Sequence, residues 1–182
     1  MDLSQPLEGS PESYAAAYQQ LWTAINHGDH DQLYEAMLAE KLDLSLRDKA
    51  YRTPLLAIFH EPTLIQNQRL LGVFVVSLVE PGADVHATDL HGRSALHYAA
   101  ILGNLDITNF LLRKGAEDTL QDRAGRLAIH EALYGRHINV ARVIAEAGVD
   151  IYQADRRGKT AESLARELGV RLYMNSLGSL LR

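Results

Sequence analysis

Asp89-Leu-His-Gly-Arg-Ser-Ala-Leu-His-Tyr-Ala-Ala100 is the stretch whose reading decides the fold. Its acidic, glycine and alanine positions return without a gap. Asp89, Asp122 and Asp155 lie 33 residues apart, and Gly92, Gly125 and Gly158, Ala95, Ala128 and Ala161, and Ala99, Ala132 and Ala165 keep the same step. Gly82, Gly115 and Gly148 follow it too. A period held by such different residue types marks an array of equal units, each too small to bury an apolar face alone. In the two most regular copies the spacing predicts a tight turn at Asp-x-x-Gly and a first helix over about 94–101 and 127–134. A second helix follows over about 105–113 and 138–146, ended by a left-handed glycine at Gly115 or Gly148.

This copy resembles the ankyrin repeat, whose signature runs Asp-x-x-Gly-x-Thr-Pro-Leu-His-x-Ala-Ala, then a second helix, then Gly-Ala-Asp. The resemblance implies an all-α solenoid of helix-turn-helix units with short hairpin-like turns, about five repeats including degenerate caps. It also implies a stand-alone interaction module without catalysis. By the same resemblance, His97 and His130 bridge backbone groups of neighbouring turns, and contact residues lie on the turn tips, the exposed side of the first helices and the concave face.

Laid along the chain, that register gives a flexible segment over 1–10 and a single domain over 11–182. The repeats span about 11–47, 48–88, 89–121, 122–154 and 155–182. Ser10-Pro11-Glu12 supplies a cap, a first-turn proline and an acid suited to a helix N-terminus, so a helix is expected from Pro11 to about Asn26. Its buried stripe is read as Tyr14, Ala17, Tyr18, Leu21 and Ile25. A second helix runs from Asp29 or His30 to about Ala39, with Leu33, Met37 and Leu38 inward. In the next copy Tyr51 replaces the turn glycine and Leu56 the histidine. Asp48 to Asp89 is 41 residues, eight more than the period, and the surplus is placed near 60–67. There Pro62 stops the first helix and Thr63 is read as a new cap. The last copy has Glu162 and Ser163 where Leu-His stood, which suits a polar cap, and the residues from Leu172 onward close the stack or fray.

Bulk properties narrow the function. The 182 residues carry 47% hydrophobic and 23% charged residues, a net charge of −5 and no cysteine. Disulfides and thiolate zinc sites are thereby removed. An acidic chain with pI 5.9 disfavours nucleic acid as a partner. Leu70–Val79 is ten residues long, half the roughly 20 needed to span a membrane, and is read as a buried helix. No basic segment precedes an apolar run at the N-terminus, so a cytoplasmic location is expected, with delivery into another cell left open. A monomer is the expected state.

Residues that recur are used by the scaffold, so the residues that vary are the contact candidates: Lys49, Arg52, His91, Arg93, Leu102, Arg123, Arg126, Tyr134, Arg156, Arg157 and Lys159. Eight are cations, and if equivalent positions stack they form a basic ladder along one edge that would steer an acidic protein partner. Two alternatives stand beside this. The ladder could serve nucleic acid or an anionic membrane, or the histidines could hold a metal. Neither His27 and His30 nor His86 and His91 has a zinc-site pattern, and no Walker loop, Gly-x-Ser-x-Gly or Gly-x-Gly-x-x-Gly occurs. No cofactor or metal ligand is assigned.

Overall fold

The computed structural model describes residues 11–39 and 42–172, with the side chains of 11–15 and 39 left aside. The expectations for residues 1–10, Tyr14, Lys41 and 173–182 lie outside these. Among the described residues there are ten α-helices and no strand. The chain divides after Ala87 into two compact units.

In the first unit, α1 (Pro11–His27) and α2 (His30–Ala39) form an antiparallel pair. The chain reverses through Gly28, whose φ is +62°. α1 buries Ala17, Leu21, Ala24 and Ile25. On α2 the inward residues are Leu33 and Ala36, whereas Leu38 is 65% exposed, so the expected inward Leu38 is corrected. Positions 33 and 36 share one helical face, and 38 is rotated away from it. α3 (Pro54–Ala57) continues into a 3-10 turn, Ile58–His60, which ends before Pro62.

The eight-residue surplus is neither loop nor simple extension. It folds as a separate short helix, α4 (Pro62–Gln66), capped by Glu61 rather than Thr63. The Glu61 carboxylate accepts from the backbone N–H of Thr63 at 3.3 Å. α4 is held down by the fully buried Leu64. A Cβ on Gly28 would lie 2.8 Å from Thr63 Oγ1, so a side chain in the α1–α2 turn would push against α4. Asn67 then caps α5 (Gln68–Val79), its Oδ1 accepting from Leu70 N–H at 3.2 Å. α2 and α3 pack on α5. His30 Nε2 meets Ser77 Oγ at 3.0 Å and turns its ring edge to Phe74.

The second unit repeats one arrangement. α6 (Ala95–Leu102) and α7 (Leu105–Arg113) form one pair, α8 (Ala128–Tyr134) and α9 (Ile138–Glu146) the next, and α10 (Ala161–Glu167) begins a third. First helices stack on first helices, α6 on α8 and α8 on α10, and α7 lies on α9. Ala95, Ala99, Ala100, Ala128, Ala132, Ala161 and Ala165 are all buried along this stack. Small side chains let the axes approach closely, and a larger one would overpack the seam. Asn104 caps α7 through its side chain, and Thr160 and Ser163 form a reciprocal capping box on α10. The Ser that replaces histidine in the last copy thus keeps the local cap.

The turns explain the aspartates. Asp89 Oδ1 accepts from the backbone N–H groups of His91 and Arg93 at 2.7 and 2.9 Å. Asp122 does the same for Ala124 and Arg126, Asp155 for Arg157 and Lys159, and Asp48 for Ala50 and Arg52. The fourth turn residue is left-handed in every case: Gly92 at φ +75°, Gly125 at +71°, Gly158 at +74°, and Tyr51 at +63°. Tyr51 bears that strain with Arg47, whose guanidinium lies 4.6 Å over its ring and donates to its carbonyl.

A second glycine position is breached in the same way. Arg136 has φ +61° where Gly103, 33 residues earlier, has +67°. A non-glycine residue there is strained, and glycine relieves the strain. Arg136→Gly is expected to raise unfolding stability by about 1 kcal/mol. Tyr51→Gly is expected to gain less, because it also loses the Arg47 stack, a contact of about 0.5–1 kcal/mol. Urea unfolding of the two variants beside the parent chain checks both the signs and the order.

Candidate partner-binding surface

Each turn divides its charged residues between two environments. The residue after the left-handed position, Arg52, Arg93, Arg126 or Lys159, is only partly exposed, whereas Lys49, Leu90, His91, Arg123, Arg156 and Arg157 at the turn tips are exposed. Lys49 and Arg52 belong to the first unit and the other contact candidates to the second.

In the second unit the tips are tied one to the next. Arg123 N–H donates to the His91 carbonyl at 2.8 Å, and Arg156 N–H donates to the Ala124 carbonyl at 2.9 Å. A Cβ on Gly92 would stand 3.3 Å from Arg123 N, and one on Gly125 3.2 Å from Arg156 N. A side chain there would be tight against the next turn as well as strained in φ. The equivalent tip residues Arg123 and Arg156 stand on consecutive, hydrogen-bonded turns.

The inner cations are engaged by acids. Arg52 forms a two-pronged pair with Asp48, at 2.8 Å from Nε and 2.6 Å from Nη2. Arg93 and Arg126 share the buried Glu131, each with a guanidinium nitrogen 3.3 Å from its Oε1. Arg93 Nε also lies 3.6 Å from Asp122 and Arg126 Nε 4.0 Å from Asp155. Arg126 is further spread over the Tyr134 ring at 4.6 Å, and the Tyr134 hydroxyl donates to Asp155 Oδ2 at 2.7 Å. Lys159 pairs with Glu167. Four of the eight ladder cations are thus neutralised in place. Glu131 is the residue that the sequence reading missed. It occupies the position of Tyr98 in the preceding copy, and an acid there, 38 residues from Arg93 and five from Arg126, is the signal that could have found it.

Titration follows the same geometry. Burial works to raise the Asp89 carboxyl, but the Tyr98 hydroxyl at 2.5 Å and the Arg93 and His91 amides outweigh it and leave it below the ordinary range. Asp155 is lowered likewise, its burial overcome by Tyr134 and the Lys159 and Arg157 amides. Burial raises both tyrosines, reinforced by their aspartate partners.

His97 accepts from Ser94 N–H at Nδ1, so its Nε2 carries the proton and donates to the Arg126 carbonyl at 3.1 Å across to the next turn. That is the bridging role which the family resemblance implied. Burial holds His97 and His130 below the usual imidazole value, opposed in part by the Arg126 carbonyl at His97 and by the Asp155 carboxylate at His130. Leu102 is half-buried, and Tyr134 is 36% exposed. His137, not singled out from the sequence, donates from Nε2 to the Ile101 carbonyl, 3.1 Å away, and joins α9 to α6. Among the described residues no group of three or more His, Cys, Asp or Glu side chains is placed to hold a metal ion. None of the described helices is long and apolar enough to cross a membrane.

Comparison with known proteins gives two findings. A family model described as ankyrin repeats (3 copies) matches residues 64–155. Over 55 residues the chain is 40% identical to the neurogenic locus notch homolog protein 2 of Homo sapiens and, equally, to that of Mus musculus. This match covers 30% of this chain and 2% of each relative, so the chain spans a small fraction of the length of the curated relatives it matches.

The buried neutral histidines make a pH test possible. The folded state refuses protons that the unfolded chain accepts below the free imidazole value of 6.5. Stability therefore falls as pH drops through that value, by at most about 1.4 kcal/mol per pH unit for each imidazole. It falls again as pH drops below 3.8, where the depressed Asp48, Asp89 and Asp155 lose their contribution. Urea midpoints measured from neutral to acid pH are expected to show the first decline already above the carboxylate range, and His97→Gln to flatten part of it. A curve level down to the carboxylate range would contradict the neutral assignment.

Proposed function

Because the chain belongs to the ankyrin repeat family, we propose that its activity is binding: a non-catalytic adaptor, inhibitor or effector that docks a protein with an acidic surface onto its turn tips. The family consists in general of protein-protein interaction modules, and the partner is the finer question. The observation that carries the reading is the division of the ladder. Arg123, Arg156 and Arg157 stand exposed on tied turns, while the neighbouring Arg93, Arg126 and Lys159 are matched by Glu131 and Glu167. A cation left exposed beside neutralised ones concentrates positive potential at the tips of an otherwise acidic chain. Tyr134, flattened against Arg126, and Leu90, 48% exposed, offer apolar area near such charges.

The same division weakens the polyanion reading. Phosphate-backbone binding draws on many unmatched cations, and half of the ladder is already paired internally. A cytoplasmic role is part of the proposal.

The test is affinity capture with the native chain beside Arg123→Glu/Arg156→Glu/Arg157→Glu. The triple variant leaves every described ion pair in place. It is expected to keep the parent unfolding midpoint and lose the captured protein, with the parent's on-rate falling as salt rises. Retention of the same partners by the triple variant would sink the reading. Capture of nucleic acid or anionic vesicles in place of protein would favour the polyanion alternative.

A further inference from the structure

The helix α5 was expected to be buried, and half of it is. Leu71, Phe74, Val75, Leu78 and Val79 lie in the core, but Val73 is 43% and Val76 41% exposed. The repeat shows this to be a departure. One period on, the corresponding residues are Asp106 and Asn109, and two periods on they are Asn139 and Arg142. α7 and α9 therefore place polar groups at the positions where α5 places valine. A contiguous apolar strip on an exposed helix face marks an interaction site more often than scattered exposed residues do.

Arg69 and Glu80, also exposed, extend the strip at both ends. Positions 69, 73, 76 and 80 are spaced four, three and four apart, the alternation that keeps one seam of a helix facing a partner helix. The strip is also its own complement. Turned end for end about the midpoint between Phe74 and Val75, Arg69 falls on Glu80, Val73 on Val76 and Gly72 on Ser77. A two-fold interface has this property, since each residue i that meets j is answered by j meeting i. Gly72 adds an independent sign. A Cβ there would meet nothing within 4 Å, and its φ is not left-handed. Neither packing within the unit nor backbone conformation asks for glycine in the middle of this helix, where it weakens the helix, but close approach of a second backbone does.

We propose that α5 is the seam of a homodimer in which two copies pack this helix antiparallel. Val73 of each lies against the partner's Val76, and Arg69 lies beside the partner's Glu80. The interface is one helix wide, so association is weak and depends on concentration. It replaces the expected monomer at high concentration and does not rest on the turn-tip reading.

Sedimentation equilibrium of the full chain, taken up to about 1 mM, is expected to show a weight-average mass rising from 20.2 kDa toward twice that value. Val73→Asp/Val76→Asn copies the residues that α7 carries at the same positions, so it is compatible with the fold. It is expected to stay monomeric with an unchanged helical signal and unfolding midpoint. Arg69→Glu is expected to weaken association by about tenfold, and Arg69→Glu/Glu80→Arg to restore it, a recovery that pairing of Arg69 with the partner's Glu80 produces. A chain monomeric at every concentration would overturn the proposal. So would self-association that survives the valine replacements, or charge reversal without effect or without recovery.

Discussion

Each of the four repeats that open at an aspartate depends on one carboxylate oxygen accepting two backbone N–H groups of its own turn. Asp48, Asp89, Asp122 and Asp155 each do this. The bonds hold the chain in a tight loop whose fourth residue is forced left-handed, which is why glycine recurs there and why Tyr51 is strained. With the loop fixed, the first helix begins at a set distance, its alanines meet those of the next copy, and the tip amides of Arg123 and Arg156 find the carbonyls of the preceding turn. Buried peptide groups that would otherwise lose water are thus paired both within and between turns. His97 adds a third tie by reaching the Arg126 carbonyl.

That economy of scaffold residues separates the two kinds of cation. Arg93 and Arg126 sit over acids that stacking buries, and Glu131 serves both. Their charge is consumed holding consecutive turns and the α8 helix in register. Arg123, Arg156 and Arg157 project from the tips and take part in the scaffold through their backbones alone. A repeat protein can vary such side chains without disturbing its stack, because each repeat contacts only its neighbours. The exposed valines of α5 show the same freedom on the other helix of the repeat, where the fold accepts Asp106 or Val73 alike.

The second unit was legible almost residue by residue. Helices expected at about 105–113 and 138–146 are found at Leu105–Arg113 and Ile138–Glu146, since caps, glycines and apolar spacing all point the same way there. Legibility failed where the period did. The surplus in the second copy became α4 because Glu61, not Thr63, supplies the cap, and Leu38 turned outward because Ala36 fills the inward place on α2. For the surface, spacing located the turn tips but could not say which cations were matched. Their partner Glu131 comes from a position that holds tyrosine one repeat earlier, so it shows only as a departure from the period.

The central claim is that the inner cations belong to the scaffold and the tip cations do not, and equilibrium unfolding of Arg126→Gln against Arg156→Gln tests it most directly. Losing Arg126 removes the Tyr134 stack and leaves Glu131 with one partner, a cost of about 1–2 kcal/mol. Losing Arg156, which projects into water, is expected to change stability by less than about 0.5 kcal/mol. Equal losses from the two variants, or a larger one from Arg156→Gln, would contradict the division on which the reading of this surface stands.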